Sequence, residues 1–305
     1  MTSDGWHLTR DLDGFLARAG GFLRSRPALH TMPLTVTESL RTRGAEAVGG
    51  EVPFFGWLER SGRVRAAFYR RPPGRLSLTP LDPEHADTLA ARLADRGYQL
   101  PGVGAEQRTA TAFAEAWQRR TGAIPTPYEH RVRLYRLGTL TPPKPSPAGR
   151  GRVAGGRDRE QVVRWCGEFC AAVGEAVPVG AASWAGTRFA DKGYTFWETP
   201  DGTPVSMAGV TSMVAGQVRV DPVYTPAHLR GRGYAGAVST EVTRAALAAG
   251  AREVVLFADV ANPTSNRLYQ RLGYLPVAEF GAYDFSATSG APGVAQHTFA
   301  SVCLQ

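Results

Sequence analysis

The alternation of apolar and polar residues is clearest in the second half of the chain. Over 157–174, apolar residues recur at helical spacing and a glycine closes the run, which predicts a helix. Residues 194–210 read as two strands around an Asp201–Gly202 turn, and residues 216–225 read as a third strand. A second helix is then expected to end at Gly250.

The same half closes with a strand, a short helix and a last strand. The strand covers 253–259, the helix covers 262–274 with Asn262 as its cap, and the last strand reaches Phe285. Pro222 falls inside the third strand of this half. Because proline has no N–H to give to a ladder, the third strand is expected to lie at an edge or to carry a bulge.

The first half shows a fainter version of this order, which predicts an internal duplication. Its expected elements are a helical stretch over 11–43, a hairpin about Ser61–Gly62, a strand over 74–81, helices over 82–97 and 104–122, and a closing strand over 130–140. Residues 138–156 are rich in Pro, Gly and Ser, as linkers are. We therefore predict domains over 1–140 and 157–290, a linker over 141–156 and a tail over 291–305.

Composition limits the classes of protein that fit. The chain has 305 residues, of which 43% are hydrophobic and 20% charged, as in globular proteins. No apolar run is long enough to span a membrane and the first residues do not resemble a signal peptide, so we expect a cytoplasmic protein without membrane contact. Cys166 and Cys170 are interpreted as packing residues, and no metal site is predicted.

The formal net charge of +8 comes almost entirely from arginine. Nucleic-acid binding would need these charges clustered on one face, whereas they are spread along the chain with acids between them. We therefore expect no nucleic-acid partner, although the charge keeps that class as an alternative. A local basic segment is equally well explained by a small polyanionic ligand.

The glycine-rich segment 223–238 is the strongest functional signal. Three glycines stand at a turn between the third strand and the helix that follows, with Arg230 and Arg232 among them. Free N–H groups at a helix start bind phosphate, and glycines let the backbone approach it closely. The P-loop string is absent. Residues 231–236 match G-x-G-x-x-G, but the match comes late and after an antiparallel hairpin, so it is a weak dinucleotide signal.

The segment Arg230–Ala235 fits the pattern [RQ]-x-x-G-x-[GA], and the chain here resembles the GNAT superfamily of acetyl-CoA-dependent N-acetyltransferases. The resemblance extends to the residues 256–277, "LFADVANPTSNRLYQRLGYLPV", and covers roughly 149–285. It implies an α+β (mixed α/β) protein with two GNAT-like domains, each a mostly antiparallel, centrally splayed sheet flanked by helices. The first domain resembles the fold more weakly, because Asp82, Glu84 and Asp87 stand where the arginines and glycines would be, and we expect that copy not to bind CoA.

The resemblance also implies the residues of the cofactor site. The pyrophosphate would lie on Arg230, Gly231, Arg232, Gly233, Tyr234 and Ala235, the pantetheine arm on Val220, Val223, Tyr224 and Thr225, and its amides on Asn262, Ser265 and Asn266. Asn262 is explained equally by helix capping, and His228 is interpreted as solvated.

Tyr269 stands at the helix position from which the family's general acid protonates the leaving thiolate, with a packing role as the alternative. The general base is expected to be Glu198, on the strand before the Asp201 turn, with Asp221 as the second candidate. An exposed strand-end glutamate is the other interpretation of Glu198.

These residues predict an acyltransferase that moves an acetyl group from acetyl-CoA to a primary amine of a small molecule by direct attack. The alternatives are an enzyme for protein or peptide amines and a decayed, CoA-binding regulatory protein. A monomer or homodimer is expected.

Overall fold

The computed structural model describes residues 4–44, 52–175 and 179–286. The predicted tail over 291–305 and Cys303 lie outside these residues. The chain forms two compact units. The first takes in the described residues up to Val132 and again from Ala278, and the second takes in Arg133–Val277.

The first unit is a sheet covered by helices. In chain order its elements are β1 (Gly5–Thr9), α1 (Leu12–Ser25), α2 (Thr31–Arg43), β2 (Phe54–Arg60), β3 (Arg63–Arg70), β4 (Leu76–Leu78), α3 (Pro83–Asp95), β5 (Gly102–Glu106), α4 (Gln107–Thr121) and β6 (Ile124–Pro127). Strands β1 to β4 pair antiparallel in order, and β4 pairs parallel with β5. Helices α3 and α4 pack on the sheet with Leu89, Leu93 and Phe113 fully buried.

The second unit repeats this plan. Its elements are β7 (Val132–Leu137), β8 (Arg150–Val153), α5 (Arg159–Ala172), β9 (Gly193–Glu198), β10 (Pro204–Val210), β11 (Gln217–Tyr224), α6 (Tyr234–Ala248), β12 (Glu253–Asp259), α7 (Pro263–Arg271) and the start of β13 (Tyr274–Ser286). Strands β8 to β11 pair antiparallel in order, and β11 pairs parallel with β12. The same sequence of pairings in both units is what a duplicated fold would produce.

Most of the expected elements are present, and the mixed α+β class with a mostly antiparallel sheet is confirmed. The hairpin turn at Ser61 and Gly62 has both residues at positive φ (51° and 72°), as a two-residue hairpin needs. Four strands were missed: β1, β5, β6 and β8. The predicted helix over 104–122 begins only at Gln107, and Gly102–Glu106 is strand β5.

The division of the chain differs from the predicted one. Strand β7 was expected to close the first half, but all of it except Val132 belongs to the second unit. Strand β13 begins in the second unit, and its residues from Ala278 pair with β5 and β6 of the first. The expected linker 141–156 contains strand β8, which pairs with β9. Pro and Gly content indicated the turns here but not the strand between them, because pairing with a distant strand is not local information.

Candidate active site

The central strands of the second unit part from each other halfway along their length. Strands β11 and β12 pair in parallel from Gln217 opposite Glu253 to Val220 opposite Leu256. Both strands continue beyond that point, to Tyr224 and Asp259, without further pairing to each other. Backbone groups on the inner edges of these last residues are therefore left for another partner.

A β-bulge in β11 lies where the two strands part. Ala208 of β10 pairs with Val223, and Val210 pairs with Val220, so that Gly209 faces two residues, Asp221 and Pro222. This confirms the bulge that Pro222 predicted. A bulge twists its strand and ends regular pairing.

Gly209 is a glycine because the bulge leaves no room for a side chain. A Cβ atom built on Gly209 would lie 2.6 Å from the carbonyl oxygen of Asp221, 2.9 Å from Cδ of Pro222 and 3.0 Å from Cε1 of Tyr194. Two of these three atoms belong to the bulged segment itself, so a side chain here would displace it.

The glycine loop follows β11 after a short helical turn at Ala227–Leu229 and leads directly into α6. Gly231 and Gly233 have φ of +78° and +83°, which other residues rarely adopt. A Cβ atom on Gly231 would meet nothing within 4 Å, so the backbone there borders open space. A Cβ atom on Gly236 would lie 3.2 Å from Cδ1 of Leu268, and this glycine therefore lets α6 pack close to α7.

The start of α6 is suited to an anion. Its N-cap, Gly233, has no side chain to cap the helix, and the first turn holds no acidic residue. The N–H groups of a first helical turn have no partner within their own helix, and the helix dipole adds positive potential there. Tyr234 and Ala235 begin the helix, half-buried, while residues 230–233 are exposed.

The corresponding helix of the first unit has acidic residues at its start. Asp82 caps α3, with its Oδ1 atom accepting from the N–H of His85 at 2.8 Å, and Glu84 lies in the first turn. The Asp82 carboxylate caps the helix start where a phosphate would bind, and the negative charges of Asp82 and Glu84 make the potential there unfavourable for an anion. Asp87 faces elsewhere and accepts hydrogen bonds from Arg119 and Arg120.

The two loop arginines are held by backbone carbonyl groups. Arg230 donates from Nε to the oxygen of Thr225 at 3.1 Å, and Arg232 donates from Nη2 to the oxygen of His228 at 3.5 Å. His228 itself is exposed. Thr225 is further fixed through its Oγ1 atom, which lies 2.8 Å from Oγ of Ser206 on β10. The Arg230 side chain therefore ties the loop to the backbone of Thr225, and the Thr225 side chain ties that residue to β10.

The residues expected to contact the pantetheine arm lie along the parted end of β11. Val220 is the last residue paired with β12, and Val223 is the first residue paired with β10 beyond the bulge. The Tyr224 side chain turns into a buried cluster, where its hydroxyl donates to Oε2 of Glu168 at 2.8 Å. The carbonyl oxygens of Tyr224 and Thr225 accept from Oγ of Ser206 and Nε of Arg230, so only the edge of this segment that faces away from β10 remains for a ligand.

The three residues at the start of α7 that were expected to bind the pantetheine amides make hydrogen bonds within the chain. Asn262 caps the helix by accepting from the N–H of Ser265 at 3.1 Å, and the Ser265 hydroxyl donates to the Asn262 carbonyl. Asn266 accepts from the Tyr135 hydroxyl at 2.7 Å and donates to the carbonyl oxygens of Asp259 and Asn262. These contacts give Asn262 and Asn266 structural roles, and they disfavour the amide-binding role expected for them.

Tyr269 lies on the next turn of α7, in the buried cluster that also holds Val220 and Leu256, the last pair before the strands part. Its side chain packs against Tyr274 with ring centroids 6.1 Å apart. Burial, and secondarily the neighbouring Tyr274 and the charge of Asp221, raise the pKa of the Tyr269 hydroxyl. The hydroxyl therefore keeps its proton at any ordinary pH, as a proton donor must.

Glu198 lies at the end of β9 and is bound by arginine. Its Oε1 atom accepts from Nε of Arg152 at 2.5 Å, and the Arg152 guanidinium also donates to both oxygens of Asp158. Glu198 is only 4% exposed, which removes the exposed strand-end interpretation. Because Arg152 of the neighbouring strand β8 already binds this carboxylate, the contacts give Glu198 a structural role that joins β8 to β9.

Asp221, the second base candidate, is held in the same way. Its Oδ2 atom accepts from Nη1 of Arg188 at 2.7 Å and from Nζ of Lys192. The positive charges of Arg188, Lys192 and Arg219 hold the pKa of Asp221 far below its ordinary value despite complete burial. Asp221 is therefore a permanent anion and a weak base.

Sequence reasoning missed a third carboxylate, Glu168 on α5. It is half-buried, and its described contact is the Tyr224 hydroxyl just beyond the bulge. No ion pair within the described part of the chain involves it. Glu168 shares a helix face with Trp165, three residues earlier, whose ring lies 6.1 Å from that of Tyr224. The i, i+3 spacing of Trp165 and Glu168 was the one sequence signal for this residue. It indicates a contact with Tyr224 only when α5 is known to pack on β11.

Among the described residues, no group of three or more His, Cys, Asp or Glu side chains could hold a metal ion. No helix within 4–44, 52–175 or 179–286 is both long and apolar enough to cross a membrane.

Comparison with known proteins places this site in a family. The model of the GNAT acetyltransferase family matches residues 163–274, which hold the parted strands, the glycine loop and Tyr269. No curated protein matches the chain.

Solved structures resemble the chain over nearly its whole length. A GCN5-related N-acetyltransferase from Sphaerobacter thermophilus is 18% identical with a TM-score of 0.55, and the match covers 93% of this chain and 96% of that one. A GNAT-family acetyltransferase from Colwellia psychrerythraea is 11% identical with a TM-score of 0.53, covering 92% and 99%. A tandem GNAT protein from the clavulanic acid biosynthesis pathway is 14% identical with a TM-score of 0.52, covering 93% and 100%.

At these identities the solved structures support the fold, while the family model assigns the domain. The chain therefore contains an acetyltransferase domain of the GNAT family at residues 163–274.

Proposed function

We propose that the protein transfers an acetyl group from acetyl-CoA to a primary amine of a small molecule, by direct attack and without a covalent enzyme intermediate. The observation that carries the proposal is the parting of β11 and β12 immediately before an uncapped, glycine-lined helix start. Acetyl-CoA, when bound, supplies the acetyl group as a thioester.

The residues of the second unit fit this cosubstrate. The open space beside Gly231 and the free N–H groups at the start of α6 suit a diphosphate, with Arg230 and Arg232 adding positive charge. The edge of Val223 and Tyr224 that faces away from β10 has no pairing with β12, and it suits a chain of amide groups lying along the strand. Ser265, half-buried in the first turn of α7, stays a candidate contact for an amide of the arm.

Tyr269 would supply the proton that the leaving sulfur requires. It lies in the buried cluster below the parted strands, and its raised pKa keeps it protonated. Burial also excludes water, which would otherwise compete as a proton donor and as a nucleophile.

Glu168 is the carboxylate best suited to receive the amine. Glu198 is paired with half-buried Arg152 and Asp221 with buried Arg188 and Lys192, whereas Glu168 has a tyrosine hydroxyl as its described partner. A half-buried carboxylate near the parted strands could attract an ammonium group and take a proton from it.

We further propose that the first unit is a degenerate copy that does not bind CoA, because Asp82 and Glu84 fill its helix start. A cytoplasmic location, a monomer or homodimer, and the absence of nucleic-acid and membrane partners stay predictions.

The proposal is tested by following CoA thiol release from acetyl-CoA with a panel of amines: amino acids, polyamines, amino sugars and a lysine peptide. We expect a small amine to accelerate release. Tyr269→Phe should then lower kcat by about 100-fold without weakening acetyl-CoA binding, because the hydroxyl acts only on the leaving group.

The matched control is Tyr283→Phe, which removes a hydroxyl bonded to Thr111 in the first unit. Its rate should stay within about twofold of the parent, since it lies outside the family domain. A full rate for Tyr269→Phe across the pH range would contradict the acid role, and acceleration by the peptide alone would favour a protein substrate.

A further inference from the structure

Four buried charges surround the bulge of β11. Asp221 in the bulge binds Arg188 and Lys192, and Arg188 also binds Glu175, which follows α5. All four side chains are less than a tenth exposed: 8% for Arg188, 1% for Glu175, 9% for Asp221 and 3% for Lys192. Burying such charges is costly unless each is paired, and each of these four side chains makes at least one ion pair.

The two cations come from residues 187–192, the segment that leads into β9. We call this the anchoring segment. Arg188 donates from Nη1 to Asp221 at 2.7 Å and from Nη2 to both oxygens of Glu175 at 3.0 and 2.9 Å. Phe189 lies between the cations, with its ring centroid 4.3 Å from the Arg188 guanidinium and 5.1 Å from Nζ of Lys192. Buried Arg219 adds positive charge beside Asp221, so Asp221 is the acidic centre of the group.

A second contact joins the anchoring segment to the same bulge. The Tyr194 hydroxyl donates to the carbonyl oxygen of Phe189 at 2.8 Å. Tyr194 pairs with Gly209, and its ring is one of the three groups that leave no room for a Cβ atom there. Two kinds of contact therefore fix the bulge. Asp221 makes ion pairs with the anchoring segment, and Tyr194 packs against Gly209 on β10.

We propose that Asp221 is a positioning residue: bound by Arg188 and Lys192 of the anchoring segment, it fixes the bulge and thereby the opening between β11 and β12. The proposal rests on the proposed function, because it assigns to this opening the pantetheine arm of CoA. It explains why an aspartate lies buried in a strand where it cannot act as a base.

The proposal predicts different effects on the binding of the diphosphate and of the pantetheine arm of CoA. The diphosphate would bind at residues 230–235, which make none of the described contacts of Asp221. The pantetheine arm would bind where the bulge sets the spacing of the strands. Loss of the Asp221 charge should therefore weaken CoA and spare a nucleotide that has the diphosphate but no arm.

Calorimetric titration of the full chain with CoA and with ADP tests this. Asp221→Asn should raise the Kd for CoA by about tenfold and change the Kd for ADP by less than about twofold. The control is Glu160→Gln, which removes an exposed carboxylate in the first turn of α5 and should leave both constants unchanged.

A charge-neutral variant, Asp221→Asn with Lys192→Met, guards against failure to fold, because it removes one cation and one anion together and leaves Arg188 paired with Glu175. It should show the same selective loss of CoA. An unchanged Kd for CoA, or equal weakening of CoA and ADP, would overturn the inference. If the parent protein binds neither ligand, the proposed function itself fails, which is a different result.

Discussion

At the scale of single residues, the partners of a side chain decide its role. Glu198 and Asp221 are both carboxylates on central strands, which is where the sequence suggested a base. The structure pairs each of them with cations: half-buried Arg152 for Glu198, and buried Arg188 and Lys192 for Asp221. Those partners come from distant positions along the chain, so the sequence could not distinguish a base from a structural anion.

Glu198→Gln tests this distinction. The change replaces one of the two carboxylates that Arg152 binds with a neutral amide and leaves Asp158 in place, so we expect a loss of about 1–3 kcal/mol in the free energy of unfolding. The kcat with the best amine of the panel should stay within about twofold, measured alongside chemical denaturation. A fall of about 100-fold in kcat without loss of stability would instead identify Glu198 as the base.

His30 makes a pH-dependent contribution to the first unit. Its ring is 1% exposed, and Nδ1 lies 3.1 Å from the carbonyl oxygen of Leu23. Burial lowers the pKa of His30 from 6.5. The unfolded chain therefore binds a proton in a range where the folded chain does not, and folding loses stability as the pH falls below 6.5.

We expect the unfolding free energy to fall between pH 7.5 and 5.5, and His30→Gln to reduce that fall because glutamine does not titrate. Urea denaturation of both proteins at the two pH values measures the difference. Equal falls in the parent and the variant would show that His30 does not contribute.

At the scale of elements, local pattern predicted helices and hairpins well and strand partners poorly. Helices α3, α6 and α7 are close to their expected bounds, because capping residues and helical periodicity are written locally. Strand β5 was missed because its sequence, Gly-Val-Gly-Ala-Glu, has little β-propensity and forms a strand only by pairing with β4 and β13.

The glycine loop was recognisable for the same reason that the helices were. The loop depends on a backbone conformation with positive φ, and glycine is the residue type that adopts it readily. Gly231 and Gly233 therefore indicate that conformation directly in the sequence. The parting of β11 and β12 was expected from the family resemblance and supported by Pro222, whereas the need for a glycine at position 209 could be seen only once β10 was placed beside the bulge.

Gly209→Ala tests the bulge as an element. Its Cβ atom would lie 2.6 Å from a backbone oxygen, so we expect a loss of about 1–3 kcal/mol in stability together with weaker CoA binding. Gly193→Ala is the control, since its Cβ atom would meet only Cγ2 of Val210 at 3.7 Å. Thermal denaturation and calorimetry measure both effects. If Gly209→Ala behaves like Gly193→Ala, the bulge is not under the constraint described.

At the scale of the whole molecule, the two units share an order of elements and a pattern of strand pairing but differ at one helix start. In the second unit Gly233 leaves the start of α6 uncapped, and in the first Asp82 caps α3. Strand β13 is divided between the two units: its residues up to Val277 belong to the second unit, and its residues from Ala278 belong to the first. Nothing in the local sequence indicates this division. We expect one CoA per chain, since only one helix start of the pair can accept an anion.

Calorimetric titration of the full chain with acetyl-CoA tests the central claim most directly. We predict one equivalent bound per chain, and at least about tenfold weaker binding for Gly231→Ala. Gly202→Ala is the matched control, because Gly202 also has a positive φ, of 87°, with nothing within 4 Å of its Cβ position. The same strain at Gly202 should leave binding unchanged. Absence of binding to the parent, or equal binding by both variants, would contradict the account.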